Sequence, residues 1–113
     1  MSTKHFKTSE FACKHCGEVK VSNHLLSILE LVRLRFGKPV IVTSGYRCEV
    51  HNKNVGGAPK SKHMEGIAAD IKVKGIKPSD VFDFLDETFP DQYGIGLYSS
   101  WVHIDDREIK ARW

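Results

Sequence analysis

Ser61-Lys62-His63-Met64-Glu65-Gly66-Ile67-Ala68-Ala69-Asp70-Ile71-Lys72-Val73 runs from a polar loop into an apolar segment with β-branched residues. A strand is predicted over residues 67–73, with Gly75 and Pro78 as the punctuation that follows it. Working back along the chain, Val40-Ile41-Val42-Thr43 reads as another short, buried strand. Before it, Leu25, Ile28, Leu29, Val32 and Phe36 recur at helical spacing, with Ser22 as N-cap and Gly37 as stop signal. Between residues 44 and 62 neither periodicity holds. Gly56-Gly57 and Pro59 interrupt a polar loop whose length marks it as functional.

Working forward, Ser79 is placed to cap a helix over residues 80–89, whose Val81, Phe82 and Leu85 form a narrow apolar face; Pro90 ends it. Residues 94–98 and 101–105 read as the two strands of a hairpin turning at Ser99-Ser100. The expected fold class is α+β, with two helices packed on a small, mostly antiparallel sheet. At 113 residues the chain reads as a single domain, residues 1–113, without internal repeats or low-complexity segments.

Composition narrows the functional classes. With 41% hydrophobic and 27% charged residues, the chain has the balance of a globular domain, which argues against disorder and collagen-like structure. No apolar run approaches the roughly 20 residues of a membrane helix, so no membrane partner is expected. The net charge of +3 suits an anionic polymer such as a bacterial cell wall. The basic residues are dispersed rather than interleaved with aromatics, so no nucleic-acid partner is expected. Met1-Ser2-Thr3-Lys4-His5-Phe6-Lys7 lacks an apolar stretch behind its charges, and no signal peptide is read there.

His63, Asp70 and His103 supply two imidazoles and a carboxylate, a set that holds zinc while leaving a fourth position for water. That arrangement makes a hydrolase the leading reading. Trp101, His103 and Asp105 alternate along a strand and so share one face. The plainer alternative is that His63 is an exposed loop residue and Asp70 an edge carboxylate. Gly66, Ala68 and Ala69 beside Asp70 weigh against it, because small residues mark a close approach of the backbone to something.

Several motifs occur in a characteristic order. They are Ser44-Gly45-Tyr46-Arg47, His51-Asn52, Val55-Gly56-Gly57-Ala58, Ser61-x-His63-x-x-Gly66-x-Ala68-Ala69-Asp70, Gly94-Ile95-Gly96-x-Tyr98 and Val102-His103-Ile104-Asp105. Together they resemble the D-alanyl-D-alanine zinc peptidases over residues 6–107. That family includes D,D-carboxypeptidases, D,D-dipeptidases and phage L-alanyl-D-glutamate endolysins, and its fold is shared by hedgehog signalling domains. The resemblance implies zinc ligands His63, Asp70 and His103. It also implies that Arg47 polarises the scissile carbonyl or pairs with a substrate carboxylate, and that Ser61 hydrogen-bonds the substrate peptide. Arg suits that task because its planar fork of donors stays charged. The alternative for Arg47 is a surface ion pair.

Several branches of that family carry a carboxylate three residues before the last ligand, where this chain has Ser100. The general-base role therefore falls to Asp105, which could instead orient an imidazole as a hydrogen-bond acceptor; Glu65 is the fallback.

Cys13-Lys14-His15-Cys16-Gly17 and Cys48-Glu49-Val50-His51 form a separate set. Cys13, Cys16, Cys48 and His51 have the composition of a closed structural zinc site, which would pin the segment 6–20 to the loop carrying Arg47. A disulfide with one thiol left free, or three reduced thiols in packing roles, are the rival readings. His5, His15 and His24 are given no role, and His24 is expected to be exposed.

The expected function is a zinc metallopeptidase acting on peptidoglycan stem peptides at a bond involving a D-amino acid, with one catalytic zinc and room for a second, structural one. A monomer is expected, made in the bacterial cytoplasm, of phage or prophage origin, and acting at the cell wall after release. The alternatives are a non-catalytic cell-wall-binding or interaction module containing zinc, and a zinc-ribbon-like nucleic-acid adaptor.

Overall fold

The computed structural model describes residues 4–113. Residues 1–3, part of the stretch read for a signal peptide, lie outside the described residues. Five strands form one sheet: β1 (Val40–Ser44), β2 (Ala68–Val73), β3 (Gly94–Leu97), β4 (Val102–Asp105) and β5 (Ala111–Arg112). Their spatial order is β1-β2-β4-β3-β5, and every pairing is antiparallel except that of β3 with β5. Among the described residues three α-helices accompany them: α1 (Asn23–Phe36), α2 (Glu49–Asn54) and α3 (Pro78–Thr88).

The expected α+β class holds, with a third helix and a fifth strand beyond the expected elements. Helix α1 starts where the Ser22 hydroxyl accepts the Leu25 N–H and stops at Gly37, whose φ of 62° only glycine adopts without strain. Its Leu25, Leu26, Ile28, Leu29 and Val32 are buried, and Phe36 packs edge-on against Phe84 of α3. Burying each such aliphatic side chain contributes about 1.5–3 kcal/mol. Ser79 does not cap α3: the helix begins two residues earlier than expected, at Pro78, whose fixed φ suits the first helical position, and Lys77 occupies the cap.

Alternation along the strands gives the sheet two different faces. Ala69, Ile71 and Val73 of β2, Ile95 of β3, and Val102 and Ile104 of β4 join α1 and α3 in one buried cluster. The intervening residues, Asp70, His103 and Asp105, lie on the other face. That face is covered by the chain from Gly45 to Gly66, which includes α2 and a 3-10 turn, Lys62–Glu65. Strand β5 is tied to α3 and the loop after it by Arg112, which bonds Asp86 at 2.7 Å and the carbonyls of Phe89 and Tyr93. No helix among the described residues is long and apolar enough to cross a membrane.

Candidate metal centre

The strand register brings two of the expected ligands together. Asp70 of β2 sits directly opposite His103 of β4, and His103 in turn sits opposite Gly96 of β3. Directly opposed antiparallel residues have Cβ atoms about 4.5–5.5 Å apart, close enough for their side chains to meet. The third expected ligand comes from the 3-10 turn, where the Ser61 hydroxyl accepts the His63 N–H and Gly66, at φ 74°, ends the turn. Gly66 is crowded, as its neighbours implied, but by Lys20: a Cβ there would lie 2.6 Å from the Lys20 Cβ.

His63, Asp70 and His103 are all buried and converge. His63 Nε2 lies 3.2 Å from Asp70 Oδ1, and His103 Nδ1 lies 3.1 Å from the same oxygen. A tetrahedral zinc with bonds of about 2.0–2.1 Å has ligand–ligand edges of about 3.3 Å, so these separations fit that ion. The remaining ring nitrogens are tied down. Gly45 O can only accept, so His63 Nδ1 donates to it at 2.7 Å and Nε2 keeps its lone pair for a metal. His103 is turned the other way round, with Nε2 donating to Asp105 Oδ2 at 2.8 Å and Nδ1 left free. Burial works to raise the Asp70 pKa, but without a metal the two facing imidazoles, once protonated on the nitrogens turned toward it, outweigh burial and hold the carboxyl well below the usual range.

Asp105 shares a sheet face with His103, as expected, yet its surroundings oppose the general-base role. Its carboxylate is completely buried. Besides His103 it accepts Arg107 Nε and Nη2 at 2.7 Å each, and the backbone N–H groups of Gly94 and Arg107. Burial raises its pKa, but His103 and Arg107 together hold it well below the carboxylate range. A carboxylate so fully occupied is a poor proton acceptor and a firm support for an imidazole. The fallback, Glu65, pairs with Lys62 at 3.1 Å and does not border the pocket over the ligands. Ser100 is exposed in the β3–β4 turn and does not border it either.

An open pocket of about 540 Å³ lies above His63, Asp70 and His103, walled by the chain from Val55 to Lys62. Arg47 stands in its wall, where its ion pair with Asp70 is largely buried instead of lying on the surface. Its Nη2 bonds Asp70 Oδ2 at 3.2 Å, Nε bonds Ser44 Oγ at 3.0 Å and Nη1 reaches Asn52 Oδ1 at 3.4 Å. Arg47 thus holds the Asp70 oxygen that does not meet the histidines, which favours one-oxygen ligation by Oδ1. Three of its five N–H donors are engaged, and two remain. Ser61 also lines the pocket, with a hydroxyl proton that its cap role leaves unused.

Sequence reasoning missed Arg107 and Trp113, which line the pocket as well. Trp113 lies 4.9 Å from the His103 ring and donates its Nε1–H to the Tyr98 hydroxyl, while Tyr98 stacks on Trp101 at 4.6 Å. Gly96 makes this wall possible, since a Cβ there would lie 2.4 Å from Trp113 Nε1. The glycine alternation in Gly94-Ile95-Gly96 was the available signal.

Away from this pocket, Cys13, Cys16 and Cys48 converge without forming a disulfide. His51, named with them above, does not join the three sulfurs. Its backbone N–H bonds Cys48 Sγ at 3.4 Å because Cys48 caps α2. His24 is exposed as expected, and its Nε2 meets the Tyr93 hydroxyl at 2.6 Å.

The sequence profile of peptidase M15 matches residues 4–105, which include all three convergent side chains. The chain belongs to the M15 peptidase family. A similar protein is the zinc D-Ala-D-Ala carboxypeptidase of Streptomyces albus G, 42% identical over 53 residues. That match covers 44% of the M15 chain and 21% of the Streptomyces protein. The resemblance read from the ordered motifs is therefore to the family that the comparison identifies.

Proposed function

We propose that this M15 chain is a zinc peptidase that hydrolyses peptidoglycan stem peptides at a bond involving a D-amino acid. The observation that carries the proposal is the ligand set itself. His63, Asp70 and His103 sit at tetrahedral spacing on the floor of an open pocket, with both outer ring nitrogens already committed. The donors are two neutral imidazoles and one carboxylate, the composition of zinc sites that keep a position for substrate or water. Zinc, when bound, supplies Lewis acidity toward a carbonyl oxygen and toward water.

The remaining steps belong to side chains of this chain. The two uncommitted N–H groups of Arg47 face charge that builds on the scissile carbonyl oxygen, or hold a substrate carboxylate. Ser61 donates its hydroxyl proton to a peptide carbonyl and so sets the depth of the substrate. Of the basic residues lining the pocket, Arg47, Lys62 and Arg107 are balanced by Asp70, Glu65 and Asp105, and Lys60 leaves the rim with a positive charge that draws in a carboxylate-bearing stem peptide. Tyr98, Trp101 and Trp113 offer flat faces to its aliphatic parts. A free carboxylate at the end of the peptide favours carboxypeptidase action; a peptide bound along the groove favours an endopeptidase of the phage lysis type. A monomer released to the cell wall by phage or prophage is the setting we favour.

A second reading rests on one specific observation. Among the described residues, no carboxylate other than Asp70 lines the pocket. A module that binds wall peptides without cutting them needs no proton acceptor there. Incubation of the zinc-loaded protein with purified muropeptides, followed by mass spectrometry, separates the two. Fragments that disappear with His63→Ala support the peptidase and report the bond. Intact muropeptides retained on a zinc-loaded protein would leave the binding module standing and remove the peptidase.

A further inference from the structure

The three cysteines lie outside the peptidase pocket and play no part in the proposed reaction. Their sulfur atoms lie within 4.8 Å of one another, and all three remain free thiols. Zinc–sulfur bonds of about 2.3 Å make the sulfur–sulfur edge of a tetrahedron about 3.8 Å, within that limit.

The backbone around them is built as a sulfur-holding turn. Ala12 and Val19 pair across a short antiparallel bridge, Cys13 N–H bonds Glu18 O at 2.7 Å, and Gly17 N–H bonds Cys13 O at 2.8 Å. Gly17 closes the turn at φ 77°, a left-handed conformation that favours glycine. The third cysteine arrives from the covering loop. Cys48 N–H bonds Cys13 Sγ at 3.4 Å, and His51 N–H bonds Cys48 Sγ at 3.4 Å. Backbone N–H groups thus point at two of the three sulfurs. The two halves are held together independently of the sulfurs, by Tyr46 N–H to Phe11 O at 2.8 Å and Lys14 Nζ to Thr43 O at 2.6 Å.

A fourth donor is also at hand. His15 Nδ1 lies 3.6 Å from Cys48 Sγ. An edge between sulfur and nitrogen ligands of one zinc, with bonds of about 2.3 and 2.0–2.1 Å, is also about 3.6 Å. The ring is exposed, and it meets Cys48 but not yet the other two sulfurs, so it would have to turn toward them on binding metal.

From this geometry we propose that Cys13, Cys16 and Cys48 bind one zinc ion as a closed structural site, with His15 as fourth ligand. The site clamps the turn 13–17 to the loop residue that follows Arg47, so it braces the wall of the peptidase pocket from outside.

Cobalt titration of the reduced, metal-free full chain tests this independently of peptidase activity. Cobalt bound to thiolates absorbs by charge transfer in the near ultraviolet, whereas a site made of His63, Asp70 and His103 has no sulfur to do so. The expected result is a charge-transfer band that saturates at about one equivalent and is displaced by zinc. The band persists in His63→Ala and collapses in Cys16→Ser, a surface change that leaves the core intact by circular dichroism. His15→Ala weakens cobalt binding at this band by about tenfold or more, while His51→Ala leaves it unchanged. A missing band in the reduced protein, or one that survives Cys16→Ser, overturns the site. Weakening by His51→Ala in place of His15→Ala overturns the assignment of the fourth ligand.

Discussion

The Asp105 carboxylate accepts the Nε2–H of His103 at 2.8 Å and is itself completely buried beneath it. That one contact decides which nitrogen of His103 is left for a metal, because Nε2–H is spent on Asp105 and Nδ1 faces Asp70. Arg107 grips both oxygens of Asp105 and keeps the carboxylate from turning away.

Asp105→Ala is therefore expected to act through the metal. Loss of such an outer acceptor lowers metal affinity or activity by about 10–100-fold. Competition with a chromophoric chelator measures the affinity, and peptide hydrolysis at saturating zinc measures the rest. Unchanged zinc affinity combined with abolished turnover would return Asp105 to the general-base role.

Gly94 makes room for this arrangement. A Cβ at that position would lie 2.4 Å from Asp105 Oδ2 and 2.5 Å from Arg107 Nε. Both atoms belong to a packed ion pair, so neither yields easily. Gly94→Ala is expected to destabilise the fold by about 1–3 kcal/mol, as overpacking does, and to weaken zinc binding in parallel. Denaturant unfolding with and without zinc checks both. A variant as stable as the parent would mean that the Asp105–Arg107 pair is far looser than its distances indicate.

The elements that the sequence made legible are those whose signals are local. Helix α1 carries a capping serine, an apolar stripe and a glycine stop within one stretch, and its bounds were read correctly. Helix α2 was not read, because six residues hold too little of a helical period and Glu49–Asn54 exposes most of its length. Strand β5 has only two residues and is held by Arg112 contacts to distant carbonyls. The candidate ligands His63, Asp70 and His103 could be named from residue type and order. Their convergence depends on the register that sets Asp70 against His103, which no local signal specifies. Asp105 shows the same limit. Alternation gave its face correctly, but the Arg107 fork that occupies it became visible only in three dimensions.

Ser22 joins the helix face of the sheet to the site face. Its hydroxyl caps α1 through Leu25 N–H at 3.0 Å and also bonds the Asp106 carboxylate, while its own N–H bonds Gly66 O at 3.0 Å. Ser22→Ala removes the cap and leaves Asp106 without that donor. The expected loss is about 0.5–2 kcal/mol of stability, with zinc affinity unchanged, because the Gly66 contact is made by the backbone. Thermal unfolding and zinc titration of the same preparation check it. A large drop in zinc affinity would show that the hydroxyl, and not the backbone, holds the turn that carries His63.

Arg47→Lys separates charge from geometry in the pocket. Lysine keeps the positive charge but cannot bond Ser44, Asn52 and Asp70 at once while offering a planar pair of donors to substrate. Asp70 Oδ1 meets both histidines without help from Arg47, so the ligand set should survive the change. Zinc content is expected to stay at the parent level. Removing one donor that meets a developing oxyanion costs about 10²–10³ in kcat, and a loss of that order is expected here. Steady-state kinetics on a stem-peptide substrate would read it as a fall in kcat. A rise in KM alone would instead assign Arg47 to holding the substrate carboxylate in the ground state.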